Sequence, residues 1–349
     1  MRIAVFDYKI TRDNPIGGCH LRMLRALAAE HDFTVFAVEF DNPHPERIRW
    51  VRLPLTIRPL ALLFVNFRLL APVLYLFERM RSGRGFDLIQ MVESNLGFGS
   101  VSYSHFCHRA YLKNHWDEVQ SGGGLRAKLR WLDHTLHARF EARTYSRVKH
   151  ILVPSQGLKR ELAAEFPFAA NKIEVLPNAI DVQRLRRPEN FDRARMRQSL
   201  GIGDAETVFL FAALGHFERK GLPALIEAFR RLEAPNAHLL VMGGERDLIE
   251  KYRARIAGAS CEHRVHFVGM QSDTGRFFWA ADAFAFPSHY ETFSLVAYEA
   301  AAAQLPLIVP PLNGIEEIVR DGETGFVVGQ DVAGIESAPL GSRRRVGCA

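Results

Sequence analysis

The stretch Ser288-His289-Tyr290-Glu291-Thr292-Phe293-Ser294-Leu295-Val296-Ala297-Tyr298-Glu299-Ala300 carries the clearest chemistry in this sequence. Glu291 and Glu299 flank a short polar start to an apolar run. Read as continuous helix, the residues between them rise roughly 12 Å and bring the second carboxylate to within roughly 80° of the first. That layout suits a ligand with a polar group at each end and an anion between, such as a hexose, diphosphate and ribose in series. The helix start would offer free backbone N–H groups to the phosphates.

A complementary pair of cations lies upstream. Gly215-His216-Phe217-Glu218-Arg219-Lys220-Gly221 follows the apolar run Val208–Ala213. An Arg-Lys pair on a strand-to-helix turn neutralises a diphosphate and gains strength as a leaving group gains charge. Alone the pair reads as solvated surface; beside Glu291 and Glu299 it reads as an anion grip.

These residues need strands and helices to position them, and the pattern alternates throughout. Strands are expected at Arg2–Phe6, Phe33–Val38, Phe86–Met91, Ser100–Ser104, Ile151–Val153 and Ile173–Leu176. A polar loop, Thr11–Gly18, precedes a helix from about His20, and a long helix is expected over Leu125–Arg147. Asn178–Asn190 reads as a linker. A second alternation follows, from the Val208–Ala213 strand to Phe326–Val328, with a helix at Ser294–Ala303. Strand–helix alternation predicts parallel sheets with right-handed crossovers. The fold class is therefore α/β, with two Rossmann-like domains facing a cleft and ligands at the strand carboxyl ends. The expected domains are 1–180 and 191–330, with 331–349 an atypical tail.

A chain of 349 residues favours two cores over one. Its 48% hydrophobic and 24% charged content is that of a soluble globular protein. The net charge of +6 is uneven: residues 1–180 hold 25 Lys/Arg against 17 Asp/Glu. A basic first half suits an anionic acceptor or membrane surface. No nucleic-acid motif is present, so no nucleic-acid partner is expected. Cys19, Cys107, Cys261 and Cys348 have no metal-ligand spacing and read as reduced thiols of a cytoplasmic protein. The opening Met1–Phe6 is already a strand, so no signal peptide is expected ahead of it. Leu60–Phe77 is apolar but broken by Asn66, Arg68 and Pro72. It reads either as a buried helix or as a membrane-surface helix with Arg68, Arg79, Arg81 and Arg84 towards the headgroups.

Taken together, Arg219-Lys220-Gly221, Ala281-Asp282-Ala283 with Pro287-Ser288, Glu291 and Glu299, and Glu316-Glu317-Ile318-Val319 with Asp321-Gly322 and Thr324-Gly325 resemble the donor domain of retaining GT-B glycosyltransferases of the family-4 type. Pro177-Asn178-Ala179-Ile180-Asp181 resembles that family's linker, and Gly17-Gly18 its first glycine-rich loop. The resemblance implies that Arg219 and Lys220 grip the donor diphosphate, Glu291 holds sugar hydroxyls and Glu299 binds the ribose. It implies that backbone amides of Phe293, Ser294 and Leu295 contact sugar and phosphate, and that Gly18 lets the first loop approach the phosphate. It also implies an acceptor-domain histidine near the sugar, for which His105 is the first candidate and His108 the second. No metal and no cofactor is expected, the nucleotide sugar being a substrate; no Asp-x-Asp signature is present.

Four positions depart from the family's pattern: Thr292, Ser294 and Gln304 stand where glycine is common, and Ala179 replaces a linker glycine. The tail lacks the apolar period of the family's last helices, which predicts a truncated or frame-shifted product. The expected activity is transfer of a hexose to a glycan or glycolipid acceptor in cell-surface polysaccharide or lipopolysaccharide synthesis. The alternative is an inactive nucleotide-sugar-binding remnant. A nicotinamide oxidoreductase is excluded, because neither Gly17-Gly18 nor Gly243-Gly244 has Gly-x-Gly-x-x-Gly spacing. Acceptor choice is assigned to the loops Asp41–Arg58 and Tyr111–Gly124.

Overall fold

A computed structural model describes residues 1–116 and 124–338. The chain divides into two compact units, Met1–Ala179 and Ile180–Ala349. The first holds a seven-stranded parallel sheet in the spatial order Arg49–Arg52, Asp32–Ala37, Arg2–Phe6, Leu88–Val92, Val101–Tyr103, His150–Val153, Ile173–Val175. The second holds a six-stranded parallel sheet in the order Val265–Gly269, Ala237–Met242, Thr207–Ala212, Ala283–Ala285, Leu307–Val309, Gly325–Val327. Both are α/β Rossmann-like units. Their central strands are covered on both faces and read as mostly apolar runs; every residue of Ala237–Met242 is buried, His238 included.

Most elements fall where the pattern places them, and the differences have physical causes. The first helix runs Pro15–Leu27, not from His20. Asn14 caps it, accepting from the Gly17 amide at 2.7 Å, and Pro15 takes the first position, where its missing N–H costs nothing. The expected Asp41–Arg58 loop contains the edge strand Arg49–Arg52, whose two arginines leave only Trp50 and Val51 as apolar residues, too short a run to signal a strand. Of the expected Tyr111–Gly124 loop, Tyr111–Asn114 belong to a helix beginning at His108, and residues 117–123 lie outside the described residues.

The expected linker is not free chain. Val182–Leu185 is a helical turn capped by Asp181; Leu185 is buried in the second core, and its carbonyl accepts from Trp279 Nε1 at 2.8 Å. The tail also begins differently from the expectation. Val332–Glu336 is helical, capped by Asp331, and Ile335 and Ala338 are buried in the same core. The second unit therefore continues past 330. Residues 339–349 lie outside the described residues.

Leu60–Ser82 is a 23-residue helix and the one helix, among the described residues, long and apolar enough to cross a membrane by length and composition. One face, including Leu63, Phe64, Phe67 and Ala71, is buried. On the other, Leu69, Val73, Phe77 and Met80 are exposed. Arg68 does not face outward as expected. It donates to the Ser94 carbonyl, and its guanidinium lies 4.3 Å from the Phe140 ring centroid. Arg81 is paired with the buried Glu78 at 2.6 Å.

Candidate functional site

In the second unit the Phe217–Gly221 turn and the Ser288–Glu291 turn are joined through both main chain and side chains. The His289 amide donates to the Arg219 carbonyl at 2.9 Å, and Arg219 Nη1 donates to the Tyr290 carbonyl at 3.3 Å. Gly221 sits at φ +79°, and a Cβ there would fall 2.0 Å from the Pro287 carbonyl oxygen, so only glycine lets the turns meet. Across this contact Lys220 Nζ pairs with Glu291 Oε1, and Ser288 Oγ donates to the same oxygen at 2.8 Å. Lys220 Nζ also lies 5.3 Å from the Phe286 ring centroid. Burial pulls the Lys220 ammonium below its ordinary pKa and the Arg219 charge adds to this, while Glu291 opposes both.

The two glutamates are not separated by continuous helix, as the sequence reading supposed. Glu291 lies in the bend before the helix, which runs only Leu295–Ala302 and carries Glu299 in its second turn. Ser294 precedes the helix in the left-handed region, φ 64°. Its hydroxyl oxygen is buried without a hydrogen-bond partner among the described residues. The Ala297 and Tyr298 amides donate to the Ser294 carbonyl, at 3.0 and 3.3 Å, which leaves those of Leu295 and Val296 as the helix-start amides without an acceptor in the helix. Phe293 stacks on Tyr298 at 4.1 Å between ring centroids, and Tyr298 OH donates to the Gly314 carbonyl at 3.0 Å. A Cβ on Gly314 would lie 2.6 Å from Phe293 Cα, so the Gly314 turn presses directly on this segment. The result is a cationic turn, a carboxylate, an unpartnered hydroxyl and open amides on adjoining elements, a set able to hold an anion and hydroxyls together.

Asp282 of the Ala281-Asp282-Ala283 motif has a positional part. It meets Arg193 at 2.5 Å and the buried Arg197 at 2.6 Å, and accepts from the Val208 amide at 2.8 Å. Burial works against its carboxylate, but the Val208 amide and the two guanidiniums hold its pKa below the usual range. It ties the Ala283–Ala285 strand to Thr207–Ala212, the strand that leads to the Arg219 turn.

In the first unit His105 follows the Val101–Tyr103 strand and is buried. Its Nε2 faces Asn178 Oδ1 at 3.2 Å, and the same oxygen accepts from Tyr103 OH at 2.8 Å. Burial, reinforced by His20, lowers its pKa to about 3, so the imidazole stays neutral. His108 stands apart from His105 in its contacts, with Nε2 2.9 Å from Glu93. Gly17 and Gly18 lie in the first helical turn rather than in a loop. A Cβ on Gly17 would lie 2.3 Å from the Lys9 carbonyl, which makes it a packing glycine. The Gly18 amide is committed to the Asn14 carbonyl at 2.7 Å, while nothing lies within 4 Å of where its Cβ would be.

Thus Arg219, Lys220 and Glu291 come together, with Phe293, Ser294, Leu295 and Glu299 on the segment that follows. Ser288 and Asn178 are additions: both lay inside motifs read from the sequence, but Ser288 acts on Glu291 within its own turn, and Asn178 meets Tyr103 and His105 more than 70 residues away in the chain.

Residues 205–339 match the family model described as glycosyl transferases group 1, and residues 20–184 match glycosyltransferase family 4. An uncharacterized glycosyltransferase of Methanocaldococcus jannaschii is 28% identical over 317 residues, covering 85% of this chain and 76% of that protein. The lipopolysaccharide 1,2-N-acetylglucosaminetransferase of Salmonella typhimurium is 31% identical over 206 residues, 55% of this chain and 51% of that protein. Among solved structures, WaaG, a glycosyltransferase involved in lipopolysaccharide biosynthesis, aligns with a TM-score of 0.72 at 18% identity, covering 96% of this chain and 89% of that one. Anabaena HepE in complex with UDP-glucose aligns with a TM-score of 0.68 at 19% identity, covering 97% and 88%.

Proposed function

The chain belongs to the GT-B glycosyltransferases, and we propose that it moves a hexose from a nucleotide-diphosphate sugar to a hydroxyl of a glycan or glycolipid acceptor with retention of anomeric configuration. The observation that carries this reading is the contact between the Arg219-Lys220 turn and the Glu291 bend. Arg219 and Lys220 take the diphosphate, with Lys220 able to keep one N–H on Glu291 and turn another to phosphate. Glu291 holds sugar hydroxyls, Glu299 the ribose, and the Phe293–Leu295 amides and the Ser294 hydroxyl the sugar and phosphate. The C1–O bond to the diphosphate breaks as the acceptor oxygen bonds C1 from the same face. The acceptor proton passes to the departing phosphate oxygen. The charge gathering on that oxygen is met by Arg219 and Lys220, without a metal. Neutral His105 accepts or donates a hydrogen bond at the sugar.

We further assign the enzyme to cell-surface polysaccharide or lipopolysaccharide synthesis in the cytoplasm, with peripheral contact at the inner face of the membrane. The lipopolysaccharide transferases among its relatives and the exposed apolar face of Leu60–Ser82 support this.

The test is a thermal-shift screen across nucleotide sugars, followed by nucleotide release with a crude glycolipid acceptor. One donor is expected to raise Tm and to release its nucleotide only with acceptor. Binding without release identifies an inactive binder; no binding across the panel overturns the reading.

A further inference from the structure

A second cluster of chemistry-bearing side chains lies within the first unit, apart from the residues assigned to the donor. Glu93, at the end of the Leu88–Val92 strand, points one carboxylate oxygen at two histidines. Its Oε2 is 2.9 Å from His108 Nε2 and 3.6 Å from His137 Nδ1. One ligand atom from each residue lies within 4.8 Å of the other two. Three ligands of a tetrahedral ion at 2.0–2.1 Å stand about 3.3 Å apart, so the spacing brackets that of a metal cage. The two imidazoles stack at 4.3 Å with a 10° interplanar angle, presenting nitrogens to the same carboxylate.

The surroundings are those of a built site rather than a chance cluster. His108 and His137 are buried, so a free carboxylate among them is costly to leave without a cation. The second nitrogen of His108, Nδ1, is held by His134 Nδ1 at 2.9 Å, which fixes the ring. The second nitrogen of His137, Nε2, faces Asp133 Oδ1 at 3.9 Å. Asp133 is 8% exposed, and that oxygen has no hydrogen-bond partner among the described residues. A carboxylate behind a histidine is the usual outer support of a metal-bound imidazole. Glu93 itself holds φ 50°, a left-handed conformation that a non-glycine residue adopts only when its surroundings enforce it. Arg68 contributes one positive charge nearby through its bond to the Ser94 carbonyl, against the carboxylates of Glu93 and Asp133.

We propose that Glu93, His108 and His137 bind a divalent ion of borderline softness, Zn²⁺ best of all, with Asp133 orienting His137. Two imidazoles and a carboxylate suit Zn²⁺ and leave a fourth position open. The ion clamps the Glu93 turn to the His108–Asn114 and Leu125–Arg147 helices, three elements far apart in sequence. It takes no part in the donor chemistry assigned to the second unit, and its test does not depend on that assignment.

The experiment titrates the chelator-treated full chain with Zn²⁺ by calorimetry and with Co²⁺ by visible absorption. One equivalent of Zn²⁺ is expected, together with a d–d spectrum lacking thiolate charge transfer. Glu93→Gln should weaken binding by at least tenfold, and Asp133→Asn by about 10–100-fold. Circular dichroism checks that each variant folds, and Asp133→Asn carries the test alone if Glu93→Gln does not. No stoichiometric binding, a thiolate charge-transfer band, or affinity unchanged in a folded variant overturns the proposal.

Discussion

Lys220 and Glu291 form a buried ion pair between two turns, with Ser288 donating to the same carboxylate oxygen at 2.8 Å. Their side chains are 16% and 9% exposed. Breaking such a pair by removing one partner strands a charge and costs about 3–5 kcal/mol. Lys220→Ala should therefore lose stability of that order, and turnover by two or more orders of magnitude. Adding Glu291→Gln should return part of the stability but none of the turnover. Urea denaturation and nucleotide release measure the two. Near-wild-type turnover in Lys220→Ala would remove the residue from the transfer step.

Acid should destabilise the fold through its neutral histidines. Burial lowers His105 to about 3 and His266 to about 4, with His20 and His238 respectively adding to it. In the unfolded chain both return to about 6.5. Between those values the unfolded state binds protons that the folded state does not. Stability is thus full above about pH 7 and falls as pH drops, by roughly 1.4 kcal/mol per unit for each group. Urea midpoints from pH 7.5 to 4.5 should show this slope, and His105→Gln should flatten it. An unaltered slope in that variant would discount His105.

Gln304 stands at φ 63° just beyond the Leu295–Ala302 helix, where glycine carries no Cβ penalty. Gln304→Gly should stabilise the protein by about 1 kcal/mol, the scale of left-handed strain in a residue with a side chain. Ser294→Gly, at φ 64°, should gain similarly but also shift donor affinity, because its buried, unpartnered hydroxyl is one of the groups proposed to hold the donor. Thermal unfolding of both variants with and without donor separates the two effects.

The apolar face of Leu60–Ser82 gives a membrane prediction. Leu69 and Met80 are 68% and 73% exposed, so charging them leaves the core intact. The double variant Leu69→Asp, Met80→Asp should cosediment with anionic vesicles about tenfold less than the native chain. Equal partitioning would show that this face does not touch lipid.

The sheets were legible because buried parallel strands are mostly apolar, with single polar residues such as Gln90 and His238 too few to break the run. The Arg49–Arg52 strand was hidden by its edge position, which favours charge over apolar runs. Pro15 and Asn14 together signalled the true start of the first helix, but Gly17-Gly18 read more strongly as loop. The grouping of Arg219, Lys220 and Glu291 was legible from motif order. Two departures from the family's glycines, Ser294 and Gln304, fall in the left-handed region, whereas Thr292 does not; the sequence alone could not rank them. The Glu93 cluster left no signal, since its members come from a strand end and two helices with no regular spacing.

The main-chain contact of Gly221 with Pro287 has an evolutionary consequence. A weld made of backbone leaves no slack for the cationic turn to drift relative to the acidic bend. Descendants that swap one sugar for another must do so by repainting side chains at positions such as Thr292 and Ser294, while the frame beneath them stays fixed.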